Sequence, residues 1–186
     1  MRAIETKLEG CYIFEPQVFE DERGCFFESY NQKKFKELTG LDVTFVQDNQ
    51  SKSEYGVLRG LHLQHGEHAQ AKLVRVLTGE VLDVAVDLRK NSSTYGMHVA
   101  VRLSSENKKQ LFVPRGFAHG FIVLSESAEF CYKCDNFYSP KAEGGLLYND
   151  PALGIDWGID DNEIIIAEKD KTHPLLKDFK FREGNL

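Results

Sequence analysis

The sequence predicts an all-β domain, its antiparallel strands closed into a sandwich or barrel of the jelly-roll kind. Three observations predict it. Short apolar, β-branched runs recur about every ten residues, which is the rhythm of strands rather than helices. Turn residues (Gly56, Gly79, Gly96 and Pro114) fall between or beside those runs. Alternation of period two is clear in Val81–Leu88, where Leu82, Val84, Val86 and Leu88 share one face and Asp83, Ala85 and Asp87 the other.

Taken along the chain, the predicted strands cover 44–46, 58–64, 73–77, 81–88, 98–103, 110–113, 116–124 and 128–133. Leu77-Thr78-Gly79-Glu80-Val81 reads as a tight hairpin. One helix is predicted from Gln32 to Leu38, because Asn31 is a good N-cap and Gly40 a good stop. The last third carries Pro140, Gly144, Gly145, Pro151, Gly154 and Gly158, and reads as irregular coil with a short helix near Asp170. No internal repeat or low-complexity linker interrupts it, so residues 1–186 are expected to form one domain with a few short peripheral helices.

Composition narrows the function. At 186 residues, 41% hydrophobic and 28% charged, the chain is an ordinary globular domain with enough length for a sizeable core. A formal charge of −6 argues against nucleic acid or a membrane surface as partner, since both select basic proteins. The start has no apolar signal-peptide core and no run reaches membrane-spanning length, so the expected location is the cytoplasm. Cys11, Cys25, Cys131 and Cys134 are accordingly expected to be reduced thiols. The single CxxC of Cys131 and Cys134 lies in a strand, where a spacing of three points the two to opposite faces, and it reads as packing rather than zinc ligation.

Three stretches carry candidate chemistry. In 58–64, strict alternation puts Gly60, His62 and Gln64 on one face, opposite Leu61 and Leu63; that polar face either meets solvent or lines a ligand cavity. Lys72 follows in the next strand. In 113–121, His119 sits among glycines and aromatics, as at a close ligand approach, although a lone histidine is more often a satisfied core or surface residue. In 130–138, Phe130 and Tyr132 share a face; tyrosine is a common packing residue, and its phenol is also a competent general acid. Arg23, Arg59, Lys72 and Arg115 are candidate anion contacts. There is no phosphate-binding glycine loop of the Walker or dinucleotide type. His65 and His68 flank Gly66 in a hydrophilic loop and read as solvated.

Pro114-x-Gly116-x-x-His119 resembles the second motif of the cupin superfamily. The first cupin motif normally supplies His-x-His, and here the matching place reads His62-Leu63-Gln64, which removes a metal ligand. More narrowly, the chain resembles the dTDP-4-dehydrorhamnose 3,5-epimerase family almost end to end. The resemblance runs through Asp21-Glu22-Arg23-Gly24 with Phe26 and Glu28, Phe45 to Ser51, Leu58 to His62, and Gln70 to Val74. It continues through Gly79-Glu80-Val81, Asp83 to Arg89, Pro114 to Phe121, Tyr132-Lys133-Cys134, Asn149-Asp150-Pro151 and Glu168-Lys169-Asp170.

What the resemblance implies is a cupin-type jelly-roll barrel that inverts C3 and C5 of dTDP-4-dehydro-6-deoxy-D-glucose without metal or cofactor. It implies His62 as base held by Asp170, Tyr132 as acid on the other side of the sugar, and Lys72 beside the C4 oxygen. Substrate contacts are implied for Arg23, Phe26, Glu28, Gln47, Asp48, Asn49, Arg59, His119, Glu143 and Lys169, with Tyr138 stacking on thymine. A homodimer is implied as well. The alternatives are an epimerase of a related deoxysugar nucleotide that inverts one carbon, a metal-dependent cupin, and a non-catalytic sugar-binding cupin.

Overall fold

The computed structural model describes residues 1–181. In chain order the strands are β1 (Arg2–Glu5), β2 (Tyr12–Glu15), β3 (Val18–Asp21), β4 (Gly24–Phe27), β5 (Gln47–Glu54), β6 (Val57–Gln64) and β7 (Lys72–Thr78). They continue with β8 (Glu80–Asp87), β9 (His98–Ser104), β10 (Gln110–Val113), β11 (Phe117–Val123), β12 (Ser127–Cys134), β13 (Glu143–Gly145) and β14 (Ile165–Ile166). One helix, α1 (Gln32–Thr39), and several 3₁₀ turns accompany them.

Two antiparallel sheets face each other in a jelly roll of the cupin type. One runs β1-β2-β10-β7-β12-β5; the other runs β13-β6-β11-β8-β9, with β14 added parallel to β6. The strands β3 and β4 form a hairpin of their own. Between the sheets lies one core, in which Val74, Val76, Leu111 and Phe130 from the first sheet meet Val81, Ala85, Leu103, Phe117 and Phe121 from the second. The outer face of the second sheet, Leu58, Leu61, Leu63, Val84, Val86 and Ile122, is covered by Leu146, Leu153 and Trp157 of the C-terminal segment. The outer face of the first is covered by α1, whose Phe35 packs on Phe14 and Phe112 with ring centroids 5.3 and 5.0 Å away. Burying that one ring contributes about 2–3 kcal/mol.

The helix follows its predicted caps: Asn31 accepts the Lys34 amide at 3.1 Å, and Gly40 takes the left-handed conformation at φ 74°. Three expectations change. Residues 77–81 are not a hairpin, since β7 and β8 belong to different sheets and Gly79 turns the chain from one to the other. Its φ is +79°, and a Cβ there would lie 2.1 Å from the Ser127 carbonyl oxygen. The predicted strand at 44–46 is coil, and the true strand is the polar run 47–54 that follows. His65 is buried rather than solvated, stacked on Phe179 at 5.8 Å, because the C-terminal segment folds back over its loop. The strands β1 to β4 were not foreseen at all; they are short, and of β2's four residues only Phe14 is fully buried.

Candidate active site

A cleft of about 530 Å³ opens between the sheets where the apolar core ends, and a neighbouring hollow of about 340 Å³ continues it. His62, Lys72, Tyr132, Asn49 and Lys169 line both. The floor is aromatic: Phe121 and Phe130 stack at 4.1 Å, and Tyr132 stands 6.1 Å beyond Phe130 on the same strand face.

The second sheet supplies His62, from β6, and His119, its cross-strand partner on β11. The pairing of these strands slips between His119 and Phe121: His119 faces His62 but Phe121 faces Arg59, so Gly60 and Leu61 together oppose Gly120. Strict alternation would have put Arg59 and His62 on opposite faces. The bulge turns both into the cleft while Leu58 and Leu61 stay in the outer core. Gly60 makes the bulge possible, at φ +128°, with Gly120 Cα only 2.5 Å from where a Cβ would sit.

His62 Nε2 lies 2.8 Å from Asp170 Oδ1, and Asp170 is 2% exposed. Burial works to raise the Asp170 carboxyl, but the His62 bond and charge and the Gly60 amide outweigh it and hold it below the usual range. An ionised Asp170 fixes the proton on Nε2 and leaves the lone pair on Nδ1. His173, one 3₁₀ turn on from Asp170, has its ring centroid 5.7 Å from that of His62. Its Nε2 is buried without a hydrogen-bond partner, 3.7 Å from Asp170 Oδ1. Burial, and then the neighbouring His62, push its pKa down.

The first sheet supplies the facing wall. Tyr132 of β12 stands in register with Asn49 of β5 and Val74 of β7. Burial pushes its phenol up, so it stays protonated. Lys72 Nζ lies 5.7 Å from the Tyr132 ring centroid, its pKa pushed down by burial against the pull of Cys134, Asp83 and Glu143. At the mouth, Glu143 bonds both Lys169, at 2.6 Å, and the Tyr138 hydroxyl. Gln47 accepts the Tyr138 amide at 3.0 Å.

The sequence-predicted residues thus divide. His62, Lys72, Tyr132, Asp170, Asn49, Arg59, His119 and Lys169 line the main cleft, and Gln47, Tyr138 and Glu143 line its extension. Asp48 does not join them. It follows Gln47 on a strand, so it points to the other face and pairs with Lys133 at 2.9 Å. Arg23, Phe26 and Glu28 do not reach the cleft either. They belong to or follow the β3–β4 hairpin, where Arg23 pairs with Asp21, Glu28 with Lys34, and Phe26 is 71% exposed.

Residues missed by sequence reasoning include Asp83, which holds His119 Nε2 with both oxygens at 3.0 Å, and Ser53, which accepts from Arg59 Nε at 3.0 Å. His173 was missed too. Its spacing of three from Asp170 was the available signal, because a 3₁₀ turn eclipses such side chains. His62, Asp170 and His173 are also the one group among the described residues whose donor atoms, all within 4.8 Å of one another, suit a metal ion. Cys131 and Cys134, three apart and so on opposite faces of β12, are free.

Known proteins share this fold. The family model described as dTDP-4-dehydrorhamnose 3,5-epimerase matches residues 5–178. The enzyme of that name from Salmonella typhimurium is 59% identical over 176 residues, covering 95% of this chain and 96% of the relative. A crystal structure of dTDP-4-dehydrorhamnose 3,5-epimerase from Elizabethkingia anophelis superposes with a TM-score of 0.93 at 62% identity, covering 96% of this chain and 97% of the other. The dTDP-6-deoxy-D-glucose-3,5-epimerase of Legionella pneumophila, solved in complex with dTDP-4-keto-L-rhamnose, gives a TM-score of 0.91 at 47% identity, covering 96% of this chain and 94% of the other. A strand-built cleft with a histidine–aspartate pair on one wall and a tyrosine on the other is thus set in a chain that belongs to the dTDP-4-dehydrorhamnose 3,5-epimerase family.

Proposed function

We propose that the protein inverts C3 and C5 of dTDP-4-dehydro-6-deoxy-D-glucose to give dTDP-4-dehydro-L-rhamnose, with His62 as base and Tyr132 as acid. The observation that carries this reading is that imidazole and phenol project from opposite sheets into one cleft. Inversion needs just that: a proton leaves one face of the sugar and another arrives on the opposite face.

The steps follow from proton bookkeeping. Nδ1 of His62 takes the proton from a carbon next to the C4 ketone, and Asp170 stabilises the imidazolium that results. The electron pair left behind delocalises onto the C4 oxygen, where the Lys72 ammonium offers the compensating charge. Tyr132 donates its hydroxyl proton to the far face, and the phenolate and imidazolium then exchange with water through the open cleft. The same two groups serve the second carbon once the sugar presents it.

Arg59, Lys169, Gln47, Asn49, His119 and Glu143 are assigned to the nucleotide and sugar hydroxyls, with half-exposed Tyr138 at the mouth placed to stack on the base. Exposed Phe19 and Phe26 on the β3–β4 hairpin support a homodimer, in which Arg23 and Phe26 of the hairpin, and Glu28 just after it, would contribute to the site of a second copy. All four cysteines are free thiols, which supports a cytoplasmic location.

The test is to incubate the purified protein with dTDP-4-dehydro-6-deoxy-D-glucose in heavy water, add the downstream reductase, and read the product by NMR. Deuterium at both C3 and C5 of dTDP-L-rhamnose is expected. Label at one carbon alone would make the protein a single-centre epimerase, and no label at either would end the catalytic reading.

A further inference from the structure

The unpartnered His173 beside the His62–Asp170 pair has no part in the proton transfers above. Its Nε2 is buried, receives no hydrogen bond and gives none, and points toward the carboxylate that His62 also contacts. A buried polar atom left in that state costs about 1–3 kcal/mol, unless something at times binds it.

We infer that His62, Asp170 and His173 form a zinc-binding site whose occupation silences the enzyme. Two imidazole nitrogens and one carboxylate oxygen are a donor set that favours zinc and its transition-metal neighbours over magnesium or calcium, which prefer oxygen. Tetrahedral zinc at its usual bond lengths separates its donors by about 3.3 Å. Here Asp170 Oδ1 lies 2.8 Å from His62 Nε2 and 3.7 Å from His173 Nε2, and all three donors lie within 4.8 Å of one another, so side-chain shifts of about 1–2 Å bring them to a common ion. The cleft reaches both His62 and Asp170, which gives the ion a way in and a water for its fourth position. His119, the other histidine of the cleft, is not available, since Asp83 occupies its Nε2 with both oxygens.

The effect on catalysis follows from the tautomer and rests on His62 being the base. With Asp170 as partner, Nε2 carries the proton and Nδ1 the reactive lone pair. Zinc takes the Nε2 lone pair, so the single proton of the neutral ring moves to Nδ1 and no proton is gained or lost overall. Nδ1 is then a donor and cannot accept from carbon. The substrate pocket itself stays open, so zinc lowers kcat more than it raises KM.

The experiment uses the full chain without an affinity tag, titrated with zinc chloride and, separately, cobalt chloride. One equivalent of cobalt is expected to give the visible bands of a four-coordinate site, bleached by one equivalent of zinc. Turnover is expected to fall over the same zinc range and to return with EDTA. His173→Leu is expected to keep zinc-free turnover while the half-inhibiting zinc concentration rises about tenfold or more; His173→Asn serves if the leucine variant does not fold. Absence of cobalt bands in the unaltered protein overturns the site, as does equal zinc inhibition with and without His173. Cobalt and zinc binding that depends on His173 but leaves turnover intact upholds the site and overturns His62 as the base.

Discussion

Arg59 and His62 sit three apart on one strand and yet line the same cleft, because the bulge at Gly60 and Leu61 inserts an extra residue between them. Alternation alone would have sent one of the two into the outer core. The guanidinium that is assigned to the nucleotide and the imidazole assigned to the sugar are therefore held side by side by a backbone irregularity.

Gly60→Ala tests that device. A methyl group there would lie 2.5 Å from Gly120 Cα on a backbone with positive φ, so neither relaxation nor a rotamer change relieves it. Loss of about 3 kcal/mol or more in urea unfolding is expected, together with loss of turnover. Stability within about 0.5 kcal/mol of the parent would show that the bulge does not need glycine.

Replacing His62 by Ala should lower kcat about 10²–10⁴-fold with folding retained, since the ring is partly exposed and the buried Asp170 keeps the Gly60 amide as a partner. Circular dichroism and a coupled assay decide it. Full turnover would remove His62 from the mechanism.

Tyr132→Phe separates the two proton transfers. The base remains, so deuterium should still enter next to the ketone in heavy water, but it should return from the side it left and inversion should fall about 10²–10⁴-fold. NMR of recovered substrate reads both quantities. Inversion at the parent rate would sink the assignment of the phenol.

Asp170→Asn keeps the shape of the pair and removes its charge. Without the carboxylate, nothing fixes the proton on Nε2 or stabilises the imidazolium, so kcat should drop about 10²–10⁴-fold while KM changes little. An equal change in both parameters would instead point to a binding role.

Away from the cleft, Asp87 sets an acid limit on stability. Its side chain is fully buried; burial works to raise its pKa, but bonds from Arg89 at 2.8 Å and from Ser92 and Thr94 at 2.6 Å outweigh it and hold the carboxyl at about 2. A folded pKa below the unfolded value of about 3.9 contributes stability that is complete above that value and lost as pH falls toward about 2, about 2–3 kcal/mol in all. Asp87→Asn should destabilise the protein by about 3 kcal/mol at neutral pH, and the gap should narrow between about pH 4 and pH 2. A gap that stays constant through that window would contradict the linkage.

How legible the molecule was depends on which face each residue serves. The strands that feed the core, such as Val81–Leu88 and Gln110–Val113, announce themselves because they are covered on both faces and read as short apolar runs. The strand β5 does not. Its inward residues Gln47, Asn49, Ser51 and Ser53 are polar, so the hydrophobic rhythm is missing where the structure needs it least. Two of them, Asn49 and Ser51, line the main cleft, and Gln47 lines its extension. The crossing at Gly79 read as a hairpin because a glycine between two strands does not reveal whether the second rejoins the first sheet. The site was readable through motifs that match a family, and Asp48 shows the limit: neighbours in a motif lie on opposite sides of a strand. Asp83 was silent because its partner His119 is distant in sequence, and His173, although three residues from Asp170, because only the fold brings the two of them to His62.

The aromatic pair Phe121 and Phe130 does more than close the floor. Each belongs to a different sheet, so their stacked thickness props the two walls apart and fixes how wide a sugar the opposed rings can grip. Swapping either for a slimmer or bulkier side chain would recalibrate that span while leaving base and acid untouched. Sugar choice in this scaffold can therefore drift through a spacer that never meets the substrate's reacting carbons.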